Sequence, residues 1–162
     1  MQELLNESTI SCDLTGMELA NASLLDESTA AAEAMTMLFS LRSKDQKNNL
    51  ANSFFVSNDT FAQTVSLLKT RAEPLGIKVV LGEINEFEFN KEFYWCLIQY
   101  PGIHGEIKDL TKYCEYARSK GLKIVVAADL LSLCILKEPA CFGVDVVVGT
   151  SQRFGIPLGY GG

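Results

Sequence analysis

Polar side chains stand where several predicted strands end. Asp129 closes the apolar run KIVVAAD (123–129), residues 57–59 (SND) close a second run, and residues 150–153 (TSQR) follow VDVVVG (144–149). In open α/β sheets, ligands bind beyond the carboxyl ends of the strands. Asp129 is the leading candidate, because the apolar LLSLCIL after it predicts a partly desolvated carboxylate that needs a cation or an N–H donor. A turn or helix-capping aspartate would give the same pattern.

The start of a predicted helix at Asp26 is the second candidate. Ser28 and Thr29 offer hydroxyl groups beside the free backbone N–H groups of the first turn, and such a set can hold a phosphate. Ordinary helix capping explains the same residues and is the simpler interpretation. The sequence contains neither G-x-x-x-x-G-K-[ST] nor G-x-G-x-x-G. A phosphate site here would therefore be neither a P-loop nor a dinucleotide-binding loop.

Histidine and cysteine chemistry is not expected. The only histidine, His104, lies in the turn PGIHGE and is interpreted as a solvated residue. The five cysteines include no C-x-x-C pair, so we expect no metal site. Cys134 and Cys141 lack a nearby histidine that could form a reactive thiolate. Three cysteines lie in apolar or helical segments, which predicts reduced, mostly buried thiols in an intracellular protein.

The composition is that of one globular domain. The chain has 162 residues, 48% of them hydrophobic, which is enough for a substantial core. Its net charge of -6 and its pI near 4.8 argue against a nucleic-acid-binding surface. No apolar run approaches the ~18 residues of a membrane span, and no stretch has the pattern of a secretory h-region, so we expect neither a span nor a secretory leader. We therefore expect neither nucleic acid nor membrane as a partner.

The order of predicted elements sets the fold class. Strands are expected at 54–57, 78–81, 94–100, 123–129 and 144–149, and helices at 4–15, 26–43, 59–76 and 106–121. Residues 44–49 (KDQKNN) are expected to form a polar loop. Continuous apolar strands that alternate with helices indicate an α/β fold, a mainly parallel sheet with helices on both faces. We predict a single domain over 1–162.

Particular side chains are predicted to fill the core. Phe54, Phe55 and Trp95 lie in strands and are interpreted as packing residues. The helix over 106–121 is amphipathic, and its inward face is predicted to contain Ile107, Leu110, Cys114 and Ala117.

Four stretches together resemble a known family. They are LTGMELANASLLDESTAAAEAM (14–35), LKTRAEPLGI (68–77), QYPGIHGEI (99–107) and AADLLSLCILKEPACFGVDVVVGTSQRFGIPLGYGG (127–162). These stretches resemble the glycine dehydrogenase (decarboxylating) family, the P-protein of the glycine cleavage system. The likeness runs through the whole chain, and no simple packing demand would generate the long final motif. The chain resembles the amino-terminal half of that enzyme, which is subunit 1 where the enzyme is split.

The resemblance implies an aspartate-aminotransferase-like large domain and pyridoxal 5'-phosphate (PLP) as cofactor. This chemistry needs a Schiff-base lysine, a carboxylate for the pyridinium nitrogen and a phosphate cradle. Asp129 stands where the carboxylate is expected, and Ser28 and Thr29 fall in the phosphate-loop region. Phe61 occupies the position where the catalytic half presents a histidine that stacks on the ring. The resemblance thus marks these four residues as a vestigial cofactor-binding set.

The resemblance fails at the lysine. Gln152 stands where the catalytic half has its lysine, and an amide cannot form a Schiff base. The neighbouring Arg153 stays protonated and cannot serve either. The chain therefore resembles the half without a catalytic residue, and its PLP contact is expected to be non-covalent if it exists. Family members also continue beyond both ends, so we expect a fragment of the large domain.

The resemblance further implies partners and a compartment. The partners are the lysine-bearing half or subunit 2, the lipoyl carrier H-protein, and glycine as substrate. The location would be the cytoplasm for a bacterial source and the mitochondrial matrix for a eukaryotic one. A free-standing α/β ligand-binding module, or an inactive remnant, is the alternative from another functional class. A reading frame that continues beyond Gly162 would favour the fragment over this alternative.

Overall fold

The described residues form one five-stranded parallel sheet. The computed structural model describes residues 2–21 and 24–155. The strands are β1 (Ser53–Ser57), β2 (Lys78–Gly82), β3 (Phe93–Tyr100), β4 (Lys123–Ala128) and β5 (Val146–Val148), in the spatial order β2-β1-β3-β4-β5. Neighbouring strands pair in parallel, with Leu97 opposite Val125 and Val126 opposite Val147. The predicted α/β class is confirmed.

Within the described residues, five helices accompany the sheet. They are α1 (Gln2–Thr15), α2 (Glu27–Ser40), α3 (Lys44–Asn48), α4 (Ala62–Ala72) and α5 (Leu110–Ser119). Single 3-10 turns cover Glu73–Leu75, Ser132–Cys134, Pro139–Phe142 and Ser151–Phe154. Helix α1 is followed directly by Gly16, whose φ of +72° is the left-handed conformation that glycine adopts at least cost.

The helices cover both faces of the sheet, so its central strands are buried on both sides. Every residue of β1 and β3 is buried. Helices α2 and α4 pack on one face with Phe54 and Trp95, and α5 packs on the other face with Phe55. These three aromatic residues lie in the core, as predicted. A cluster of Phe87, Phe89 and Phe93 extends the second layer.

Three local predictions are wrong. Residues 44–49 were expected as a loop, but α3 forms there because Ser43 and Gln46 make a reciprocal capping box. Helix α2 therefore ends at Ser40, three residues before its predicted end. Ile107 was expected on the buried face of α5 but is 62% exposed, because that helix begins only after its cap at Asp109. Leu110, Cys114 and Ala117 are buried as predicted.

The cysteines are free, but fewer are buried than predicted. Cys96 and Cys114 are buried, Cys12 is half-buried, and Cys134 and Cys141 are exposed. The two exposed thiols follow β4 in irregular chain and 3-10 turns, where no layer covers them.

Two kinds of feature are absent from residues 2–21 and 24–155. Within them, no helix is both long and apolar enough to cross a membrane. The same ranges hold no group of three or more His, Cys, Asp or Glu side chains placed to share a metal ion. The glycine-rich residues 156–162 lie outside the described residues.

Candidate functional site

Asp129 lies directly after β4, at the carboxyl edge of the sheet. Its Oδ1 accepts hydrogen bonds from the Leu131 N–H at 3.1 Å and from the Arg153 Nε at 3.0 Å. Its own N–H donates to the Tyr100 carbonyl oxygen at 3.0 Å, which fixes it against β3. The predicted need for a cation or an N–H donor is therefore met within the chain, which supplies both. Arg153 follows β5, so the ion pair connects the loops after two neighbouring strands.

The start of α2 lies at the same edge and is already capped. The Asp26 Oδ1 accepts the Thr29 N–H at 2.6 Å, which is ordinary N-capping. The Ser28 hydroxyl is 3.0 Å from the Thr64 hydroxyl of α4, so it joins the two helices. The simpler of the two sequence interpretations, capping, describes Asp26 and Thr29 in the structure.

Gln152 and Phe61 reach this edge from different strands. Gln152 lies in the 3-10 turn after β5, where its N–H donates to the Thr150 hydroxyl at 3.3 Å. Phe61 is half-buried at the position before α4, and its side chain makes no capping hydrogen bond. Because β5 is next to β4, Gln152 follows the strand adjacent to that of Asp129. Phe61 follows β1, two strands from β4.

Glu27 and Gln99 complete the site, and sequence reasoning missed their pairing. Gln99 is 2% exposed and donates through Nε2 to the Ala127 carbonyl oxygen at 3.1 Å and to the Glu27 carboxylate at 3.4 Å. Its Oε1 has no hydrogen-bond partner. The available signal was one amide inside the otherwise apolar strand YWCLIQY.

The first turn of α2 carries unfavourable negative charge. Burial raises the pKa of Glu27, the hydrogen bond from Gln99 opposes this, and the nearby charges of Asp129 and Asp26 raise it further. Glu27 is therefore repelled electrostatically by the carboxylates of both Asp129 and Asp26. Within the described residues, the cation that pairs with this group of carboxylates is Arg153, through Asp129.

A second polar cluster lies between the ends of β1 and β3, where the strand order reverses. Asp59 is 9% exposed, accepts a hydrogen bond from the Ser57 hydroxyl and pairs with the Lys108 Nζ at 2.9 Å. Its backbone carbonyl oxygen accepts the Ile103 N–H at 2.8 Å. The hydrogen bond with Asp59, its charge and that of Glu83 raise the pKa of Lys108 despite partial burial. These contacts connect the loop after β1 to the loop after β3.

The remaining candidates take no part in either cluster. His104 is exposed in its turn, as expected. A shallow depression of about 510 Å³ lies at the opposite, amino-terminal end of the strands, lined in part by Asn90, Lys91 and Lys120. Its lining comprises mostly exposed polar side chains and includes none of the predicted site residues.

Comparison with known proteins identifies the family. A family model described as "Glycine cleavage system P-protein" matches residues 1–162. The chain belongs to this family. Curated relatives named glycine dehydrogenase (decarboxylating) are 55% identical in Christiangramia forsetii and 49% identical in Flavobacterium johnsoniae. Each match covers 100% of this chain but 17% of the relative, so the chain spans about a sixth of P-proteins of this type.

Solved structures agree with the family and the fold. A crystal structure of the glycine decarboxylase (P-protein) of the glycine cleavage system, in inhibitor-bound form, matches 99% of the chain and 36% of that protein. Its TM-score is 0.84 and its identity 30%. A putative O-acetylhomoserine (thiol)-lyase from Campylobacter jejuni, whose structure contains a pyridoxyl-lysine phosphate, has a TM-score of 0.68 at 15% identity over 90% of the chain and 35% of that protein. This second likeness shows the fold alone.

The P-protein family implies PLP, but the described residues do not fit it. Gln152 has no amine that could hold the cofactor covalently. At the phosphate end, Asp26 already accepts the Thr29 N–H and Thr64 engages the Ser28 hydroxyl, while Asp26 and Glu27 add negative charge. At the ring end, Asp129 is already paired with Arg153. The assignment of Asp129, Ser28, Thr29 and Phe61 as a vestigial cofactor-binding set stays a prediction.

Proposed function

We propose that this chain is part of a PLP-dependent glycine decarboxylase, within the half that lacks the Schiff-base lysine. The complete enzyme decarboxylates glycine and transfers the aminomethyl group to the lipoyl carrier H-protein. The P-protein match over residues 1–162 supports the activity, and Gln152 after β5 supports the non-catalytic half. In this proposal the segment alone is inactive. The free-standing module is not favoured, because the whole chain matches a part of much longer relatives.

The observation that carries the non-catalytic role is the self-paired edge of the sheet. Asp129 has its cation in Arg153, and the first turn of α2 has its cap in Asp26. PLP would therefore be held by the lysine of the other half, and when bound there it would supply the electron sink that decarboxylation of glycine requires. The role of this segment is structural. Its sheet and helices position the carboxyl edge, which in this proposal faces the lysine-bearing half.

Apolar side chains at the carboxyl edge support docking of the lysine-bearing half. Leu25 is 80% exposed before α2, Leu131 is 45% exposed beside Asp129, and Ile135 is 88% exposed in the same loop. Exposed apolar side chains that share one edge support an interface at that edge. In the assembled enzyme this half would be covered by the lysine-bearing half or subunit 2, in the bacterial cytoplasm or the mitochondrial matrix according to the source.

Exchange of labelled bicarbonate into glycine tests the activity. The complete P-protein that carries this segment is assayed with PLP and the H-protein, beside a variant without the lysine of the other half and the segment alone. We expect exchange only from the complete protein with its lysine. Turnover by the segment alone would contradict the non-catalytic role, and failure of the complete protein would contradict the activity.

Docking is tested by co-elution of the lysine-bearing half with variants of this half. Ile135→Glu places a charge in the proposed interface and should weaken the association by about tenfold or more. Leu41→Glu is the matched control, because Leu41 is also exposed but follows α2 at the far end of the sheet. Equal association of both variants would exclude this edge as the interface.

A further inference from the structure

The ion pair between Asp129 and Arg153 joins the loops that follow two strands of the sheet. The two residues follow β4 and β5, which are neighbouring strands, and their side chains meet at 3.0 Å. The same Asp129 oxygen also accepts the Leu131 N–H. One carboxylate oxygen therefore holds the loops after both strands.

The charges around Asp129 show why a cation is needed at this point. Glu27 is electrostatically coupled to Asp129 and to Asp26, so the start of α2 and the end of β4 bring three carboxylates to one edge. The amide of Gln99 donates to Glu27 but carries no charge. Without Arg153, the described pairings of Asp129 would leave its charge uncompensated.

The position of the Asp129 carboxylate indicates which cation the Arg153 guanidinium replaces. In PLP enzymes a carboxylate at the end of a strand pairs with the protonated ring nitrogen, which is a cation supplied by the ligand. Arg153 supplies a cation from the chain itself, and a guanidinium does not lose its proton at physiological pH. Asp129 raises the pKa of Arg153 further through their hydrogen bond.

We propose that Arg153 is a positioning residue that acts as a built-in substitute for the cofactor's charged ring. It neutralises Asp129 and ties the loop after β5 to the loop after β4, so this edge keeps one conformation without any ligand. The inference rests on the proposed non-catalytic role of the segment. Asp129 thereby keeps a structural use in a site that has no lysine.

Hydrogen exchange read by mass spectrometry tests this in the complete P-protein, with Arg153→Ala, Arg153→Lys and Asp129→Asn. Loss of a half-exposed ion pair should speed exchange in the peptide over 129–137 by about two- to fivefold in Arg153→Ala and in Asp129→Asn. Arg153→Lys keeps the charge and should remain close to the wild type. Added methylguanidinium should slow the exchange in Arg153→Ala, whereas sodium chloride at equal ionic strength should not.

The outcomes separate this inference from the proposed function. Unchanged exchange in Arg153→Ala, or equal effects of methylguanidinium and sodium chloride, would overturn the role of Arg153. If Arg153→Ala does not fold, the comparison of Arg153→Lys with Asp129→Asn tests the role of Arg153 instead. Equally fast exchange in these two variants would also overturn that role. A specific pyridoxyl adduct on this segment would instead count against the proposed non-catalytic role.

Discussion

The Glu27 carboxylate lies 3.4 Å from the Nε2 of the buried Gln99, and it carries a raised pKa. A carboxyl group whose pKa is higher in the folded state than in the unfolded state favours folding when it is protonated. The stability that protonated Glu27 contributes is fully present at a pH below its ordinary pKa of 4.5. That stability is lost as the pH rises through the raised pKa of the folded state. Ionised Glu27 therefore opposes folding at neutral pH.

Glu27→Gln should consequently stabilise the fold near neutral pH. We expect a higher urea midpoint than for the wild type at about pH 7, and a smaller difference at about pH 4. Glu33→Gln is the control, because Glu33 is exposed on the same helix and makes only a 3.8 Å contact with Arg71. A lower midpoint for Glu27→Gln near neutral pH, or the same gain in the control, would disprove this account.

Tyr94→Phe should not destabilise the protein, although Tyr94 is completely buried. Its hydroxyl group has no hydrogen-bond partner, so the substitution removes a desolvated polar group and leaves the ring in place. We expect a gain of up to about 1 kcal/mol in the free energy of unfolding.

The matched control for Tyr94→Phe is Tyr116→Phe. The Tyr116 hydroxyl donates to the Phe87 carbonyl oxygen at 3.1 Å, so its loss should cost about 1 kcal/mol. Equilibrium unfolding of the two variants should therefore give changes of opposite sign. A loss in both would mean that the Tyr94 hydroxyl is paired in solution.

Lys108→Met should be strongly destabilising. The Lys108 side chain is 22% exposed and faces Asp59, whose side chain is 10% exposed, so the substitution leaves a nearly buried carboxylate without its cation. We expect a loss of about 3 kcal/mol in unfolding experiments. Lys123→Met is the comparison, because Lys123 pairs with Asp145 at 2.7 Å but is 57% exposed, and it should cost less than about 1 kcal/mol. Similar losses for both variants would refute the dependence on burial.

Borohydride reduction in the presence of PLP should trap no pyridoxyl group at a specific lysine of this segment. The physical reason is Gln152, whose amide nitrogen is not a nucleophile, in the turn after β5. Peptide mapping of the reduced complete protein measures this, and the lysine of the other half provides the positive control. A stoichiometric adduct on one lysine within residues 1–155 would show that this half binds the cofactor covalently.

Hydrophobic patterning determined the fold class and most elements before any tertiary information. Runs such as YWCLIQY and KIVVAA are apolar on both faces, and only a sheet covered on both sides buries them. Capping at Asp26 was equally readable, because the cap acts within one turn. The reciprocal cap of Ser43 and Gln46 is just as local, but the polar composition of residues 44–49 predicts a loop instead.

Only the tertiary structure decided which polar residues meet. Arg153 reaches Asp129 across 24 positions, Lys108 reaches Asp59 across 49, and Gln99 reaches Glu27 across 72. No local pattern encodes these pairs, because their geometry follows from the strand order and from the packing of α2 on the sheet. The sequence by itself indicated the family and the missing lysine. The fold then decided that the aspartate left at the edge is paired with an arginine of its own chain, since neighbouring parallel strands bring their following loops together.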